Sequence, residues 1–141
     1  MGPICMAPIV MIGALFTLHP YAKHQSDRDA AYIEAQTCRT GFGAHALAST
    51  TQFYSWGIQY GLDIPVSRYL TLTIQPVFGG SYTARADRQL PMGAQFETGV
   101  NLIASGEEWI VGVKWLHASN AGLKQPNIGV DWMGVFVGRR L

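Results

Sequence analysis

Charge is scarce in this chain. Only 13% of its residues are charged, against about 25% in an ordinary soluble domain. The 10 Lys and Arg nearly balance the 9 Asp and Glu, for a formal net charge of +1. The basic residues stand singly or in pairs, so no stripe exists for a phosphate backbone to follow, and nucleic acid is excluded as a partner. Cysteine is nearly absent as well. With Cys5 and Cys38 alone and no Cys or His cluster at ligand spacing, neither a disulfide framework nor a metal site is expected, and no cofactor is implied. Long apolar runs are missing too: the longest, Gly2 to Leu18, falls short of the roughly 20 residues of a membrane-spanning helix.

That run reads as the apolar core of an export signal, cleaved after Ala22. No Lys or Arg precedes Lys23, and Pro20 stands where a small residue is preferred. The alternative is a buried N-terminal segment. Cleavage would remove Cys5 and leave Cys38 alone. Residues 23–141 would then form a single domain, since 141 residues are too few for two.

What the chain has in quantity is apolar side chains, at 48%, and 16 glycines. Beyond Ala22 the apolar residues recur every second position, as in a strand with one apolar face. Tyr54, Trp56, Ile58, Tyr60 and Leu62 alternate with Ser55, Gly57, Gln59 and Gly61. Similar alternation runs through Leu70 to Phe78, Met92 to Leu102 and Trp109 to Trp115. A water-soluble barrel or sandwich alternates in the same way, with its apolar face inward. The opposite face here is so poor in charge and so rich in Gly and Thr that it suits a narrow filled lumen better than a solvated surface. The expected fold is all-β: an antiparallel up-and-down transmembrane barrel.

Six strands are visible, at about 31–48, 52–62, 69–84, 92–104, 108–118 and 129–140. Bacterial outer-membrane barrels have an even number from eight upward, so eight are expected. The missing two are sought in the Ala31 to Ala48 region, which has room for two strands, with a break at Gly79 and Gly80 as a further option, and neither is given bounds. A two-residue turn at Ser105 and Gly106 would set Ala104 opposite Glu107, Leu102 opposite Trp109, Val100 opposite Val111 and Phe96 opposite Trp115. It would also pair Glu97 with Lys114 inside the barrel.

The segment from His117 to Asp131, HASNAGLKQPNIGVD, lies between the last two strands. With His117 opposite Asp131, Trp115 meets Met133, Val113 meets Val135 and Val111 meets Val137, so the apolar faces coincide. A histidine and a carboxylate then share the lipid-facing wall, where a polar pair is costly unless it has a purpose. Ser119 can place its hydroxyl on the same side. Together these are the parts of an acyl-transfer site: nucleophile, base, and a carboxylate to fix the imidazole tautomer. Asn120 and the Gly122 N–H are candidate oxyanion donors, and Trp115 and Phe96 are candidates to line a substrate groove. Taken singly, Ser, Asn and Gly are turn formers, and a lone strand-end histidine is usually unremarkable.

This segment resembles the H-x-S-N-A-G-L-K-x-P-N-x-G signature of the lipid A 3-O-deacylase family, whose members are small outer-membrane barrels. Over the rest of the chain the likeness is confined to strand pattern and size. The resemblance implies a metal-free serine esterase that removes the 3-position acyl chain of lipid A, with lipopolysaccharide as partner and the bacterial outer membrane as location. It maps nucleophile and base onto Ser119 and His117. The family's third catalytic position is usually Glu, and here it is Asp131. Two other readings compete: a non-catalytic outer-membrane barrel with a structural or surface-binding role, and a soluble small-ligand carrier.

Overall fold

The computed structural model describes residues 7–18, 29–84, 93–119 and 130–141. These form a closed antiparallel barrel in which each strand pairs with its neighbours in sequence and the last returns to the first. The strands are β1 (Ile9–Leu18), β2 (Ala30–Gln36), β3 (Gly41–Ser49), β4 (Phe53–Ser67), β5 (Leu70–Thr83), β6 (Gly93–Ser105), β7 (Trp109–Ser119) and β8 (Val130–Arg140). Closure leaves no sheet edge unpaired, as hydrocarbon surroundings demand.

The period of two sorts side chains to the two faces. Outward stand Ile12, Phe16, Ile33, Tyr54, Trp56, Ile58, Phe78, Leu102, Val113 and Val135, all exposed. Inward stand Glu34, Gln36, Gln59, Gln75, Gln95, Glu97, Asn101 and Lys114, all buried. An apolar exterior around a polar interior is the inverse of a soluble barrel, and the carrier reading falls with it. Apolar residues also enter the lumen, where Phe53 packs on Trp132 with ring centroids 4.6 Å apart.

Several expectations are corrected. The run read as an export signal contains β1, which pairs with β2 along Ile9 to Leu15 and with β8 along Ile9 to Leu18. Cleavage after Ala22 would therefore take a barrel stave with it. The lone-thiol expectation depended on that cleavage and falls too, because Cys38 is disulfide-bonded. The region from Ala31 to Ala48 does hold two strands, but Gly79 and Gly80 break nothing. They lie inside continuous β5, where Gly79 faces Gly57 of β4. A Cβ on Gly79 or Gly57 would meet the opposite backbone, so that bare pair allows close approach there.

The β6–β7 register is corrected as well. The Gly106 N–H bonds to the Trp109 carbonyl at 3.0 Å, which closes a longer turn than Ser105-Gly106 alone. Leu102 then faces Val113, Val100 faces Trp115, and Phe96 faces Ser119. The slip is an even number of residues, so every side chain keeps its face. The Glu97–Lys114 pair does not form. Glu97 stands opposite Ala118 and Lys114 opposite Asn101. Both still point inward, but each finds its partner across the lumen. Lys114 Nζ lies 2.9 Å from Glu34 Oε1 and donates to Asn101 Oδ1 at 2.8 Å. Glu97 Oε1 lies 3.6 Å from His45 Nε2.

The two ends of the barrel differ. At one end the connections β2–β3, β4–β5 and β6–β7 are short, and Ile9 and Arg140 lie beside each other there. At the other end β1–β2, β5–β6 and β7–β8 are longer, while β3–β4, between Ser49 and Phe53, is short. Outer-membrane barrels keep short turns at the periplasmic end and long loops outside.

Candidate active site

The β7–β8 pairing matches expectation along its length. Trp115 faces Met133, Val113 faces Val135, Val111 faces Val137, and His117 faces Asp131 at the long-loop end. Direct opposition brings the two polar side chains together: His117 Nδ1 lies 2.9 Å from Asp131 Oδ1. Each side chain is 34% exposed, so the pair is accessible without being fully solvated. A carboxylate only accepts hydrogen bonds, so Nδ1 is the donor. The tautomer is thereby set, leaving the Nε2 lone pair for a proton.

The surroundings are apolar on one side. Trp115 stacks on the His117 ring, with centroids 6.3 Å apart and planes 21° from parallel. Phe16 of β1 pairs with Met133, which in turn faces Trp115. These three exposed side chains form an apolar ledge on the outer wall beside the polar pair, on the side toward the middle of the strands. His117 also faces Thr98 of β6, which the expected register had set elsewhere. Nothing in the sequence short of the true turn length would have found that neighbour.

Ser119 ends β7, with its backbone opposite Phe96 of β6. Two residues past His117, its position falls on the same face of the strand. Its side chain lies outside what the structure describes, as do residues Asn120 and Gly122, the oxyanion candidates. Both groove candidates belong to this patch. Trp115 lies against the imidazole, and Phe96, 53% exposed, stands at the register position of Ser119. The expected register had set Phe96 beside Trp115 instead.

The patch comprises a histidine held by a carboxylate, a serine position beside it and an aromatic ledge, all on the outer wall of a small barrel. Comparison with known proteins bears on the chain as a whole. The family described as lipid A 3-O-deacylase (PagL) matches residues 41–140. The chain belongs to the PagL family. The activity that describes the family is the 3-O-deacylation of lipid A, a hydrolysis. The crystal structure of the outer membrane enzyme PagL superimposes with a TM-score of 0.62 at 18% identity, covering 91% of this chain and 97% of that one. The Yersinia pestis outer membrane protein Ail, in a phospholipid bilayer nanodisc, superimposes with a TM-score of 0.51 at 9% identity, covering 96% and 99%. At such identities these two show the fold alone. No curated protein matches the chain by sequence.

Proposed function

We propose that this PagL-family barrel is a serine esterase that hydrolyses the 3-O-linked acyl chain of lipid A in the outer leaflet of the outer membrane, using Ser119, His117 and Asp131. The observation that carries the reading is the 2.9 Å contact between His117 Nδ1 and Asp131 Oδ1 on the outer wall. An exposed apolar wall has no structural need of an imidazole–carboxylate pair, whereas a hydrolase does.

In this reading His117 Nε2 takes the Ser119 hydroxyl proton as Oγ attacks the ester carbonyl. The tetrahedral oxyanion is met by Asn120 and the Gly122 N–H. Collapse breaks the bond to the sugar oxygen, and His117 returns its proton to that leaving hydroxyl. Water then attacks the acyl-serine with His117 again as base, and the fatty acid departs. Asp131 holds the ring throughout and stabilises the imidazolium. Trp115 and Phe96 line the apolar part of the groove. A site open sideways at the long-loop end meets acyl chains without lifting them into water.

Ser119→Ala tests the assignment. Losing a serine nucleophile costs on the order of a millionfold in kcat, and losing a turn serine costs little. The variant should fold, insert, and leave lipid A at full mass, while wild type removes one hydroxyacyl chain. A wild-type barrel that never deacylates a 3-acylated lipid A would instead be a non-catalytic surface barrel.

A further inference from the structure

At the opposite end of the barrel the short turns enclose a second polar feature. A cavity of about 590 Å³ is lined by Arg39, Arg68, Arg140, Tyr69, Trp109 and Glu107, among others. Arg39, in the β2–β3 turn, is the most enclosed, its side chain 13% exposed. One of its terminal nitrogens bonds Ser105 Oγ, and the other pairs with Asp63 Oδ2 at 2.8 Å. Asp63 is further held by the Thr73 hydroxyl at 2.6 Å. That charge is already balanced, yet the buried Arg39 Nε has no hydrogen-bond partner.

Arg68 and Arg140 differ. Neither takes part in an ion pair among the described residues, and Glu107 supplies the only carboxylate in the lining. The cup therefore carries surplus positive charge and an unmet donor. Its rim carries Tyr69, 77% exposed, and Trp109, 49% exposed, with the Arg68 guanidinium 5.8 Å from the Tyr69 ring centroid. Aromatic side chains of this amphipathic kind settle at the level of lipid headgroups. The short-turn end is periplasmic in an outer-membrane barrel, so the cup lies at headgroup depth of the periplasmic leaflet.

We infer that this cup binds a phosphate group through Arg68 and Arg140, and that in the membrane the phosphate is the phosphodiester of a glycerophospholipid of the periplasmic leaflet. A guanidinium offers two parallel donors to a phosphate, a match that water or a chloride ion does not reproduce. Tyr69 and Trp109 flank the glycerol and the first methylenes of the chains. The site stands apart from the ester chemistry at the other end, and neither depends on the other.

Native mass spectrometry of the full chain in detergent tests this, with phosphatidylglycerol, diacylglycerol of the same chains, and inorganic phosphate as probes. Wild type should take up one saturable phosphatidylglycerol and no diacylglycerol. Arg68→Gln combined with Arg140→Gln should weaken the lipid adduct about thirtyfold, since each basic residue near a headgroup contributes on the order of 1 kcal/mol. Arg139→Gln is the control. Arg139 pairs with Glu108 at 3.8 Å outside the cavity lining, and its loss should change nothing. Heat-modifiable mobility verifies folding, and the paired Lys variants should fall between wild type and Gln. Equal uptake of diacylglycerol, or undiminished phosphatidylglycerol binding by the Gln pair, would overturn the site. Inorganic phosphate binding as tightly as the lipid would overturn the lipid as its occupant.

Discussion

Lys114 of β7 meets Glu34 of β2 across the lumen at 2.9 Å, although their strands are not neighbours in the sheet. Around the pair, Gln36 donates to Glu34 Oε2 at 2.8 Å, while Gln36 and Gln75 exchange amide bonds at 2.9 Å. Asn101 closes the set by donating to Gln75 Oε1 at 2.7 Å. This network joins β2, β5, β6 and β7 through the middle of the barrel, so it fixes lumen geometry where ladder hydrogen bonds cannot.

Breaking that pair should cost more than removing it. Lys114→Met leaves a buried carboxylate uncompensated and should destabilise the barrel by about 3 kcal/mol. Lys114→Met with Glu34→Gln should recover most of the loss. In a double-mutant cycle, measured by urea unfolding in lipid vesicles, Lys114 should couple to Glu34 by more than about 1 kcal/mol and to Glu97 by much less. A larger coupling to Glu97 would restore the adjacent-strand pairing and refute the register described above.

How much was legible in the sequence differs from element to element. The period of two from Phe53 onward reports which face each residue takes, because lipid and lumen select opposite chemistries at successive positions. The His117–Asp131 opposition was readable: it aligns the apolar faces of β7 and β8 and also sets an imidazole against a carboxylate. The β6–β7 register was not, since an even slip leaves the same faces matched and only turn geometry tells the registers apart. Partners across the lumen were invisible for a related reason, as no pattern along a strand encodes which distant strand lies opposite. In β1 the outward and inward residues are both largely apolar, as in Ile9, Met11 and Leu15 inside and Ile12 and Phe16 outside. Continuous apolarity erased the alternation and left a run that looks like an export signal.

The place of β1 leads to a direct test. A chain lacking residues 1–22 loses the partner of both β2 and β8, exposing two rows of unpaired backbone groups to hydrocarbon. Such a chain, refolded into vesicles, should give no heat-modifiable, protease-resistant band, whereas the full chain should. If the shortened chain folded as well as the full one, the signal reading would return and the closing strand would have to come from elsewhere.

Asp131 should govern rate rather than binding. Asp131→Ala removes the acceptor that holds His117 Nδ1, freeing the ring to take the wrong tautomer, and kcat should fall by on the order of 10⁴ with KM little changed. Asp131→Glu restores the carboxylate with one more methylene and should retain activity, because the pair is 34% exposed and a longer side chain has room to adjust. Steady-state assay of both variants decides the matter. Wild-type turnover by the alanine variant would leave at most a serine–histidine dyad.

Phe96 offers the sharpest separation of chain recognition from chemistry. It stands opposite Ser119 on the outer wall, 53% exposed, with no polar atom to contribute to proton transfer. If the scissile chain runs along the wall from the serine, the ring covers its first methylenes. Burying a methylene against an apolar surface stabilises by about 0.8 kcal/mol. Phe96→Ala should therefore raise KM for long-chain esters about tenfold, equivalent to losing cover over roughly two methylenes. It should leave the hydrolysis of an acetyl ester unchanged, since that substrate has no chain for the ring to touch. Trp115→Ala should act differently, because its ring stacks on His117 and its loss loosens the base, so kcat should fall for short and long esters alike. A Phe96 variant that slows acetyl and long-chain esters equally would mean that the ring supports Ser119 itself and that the chain leaves the site by another path.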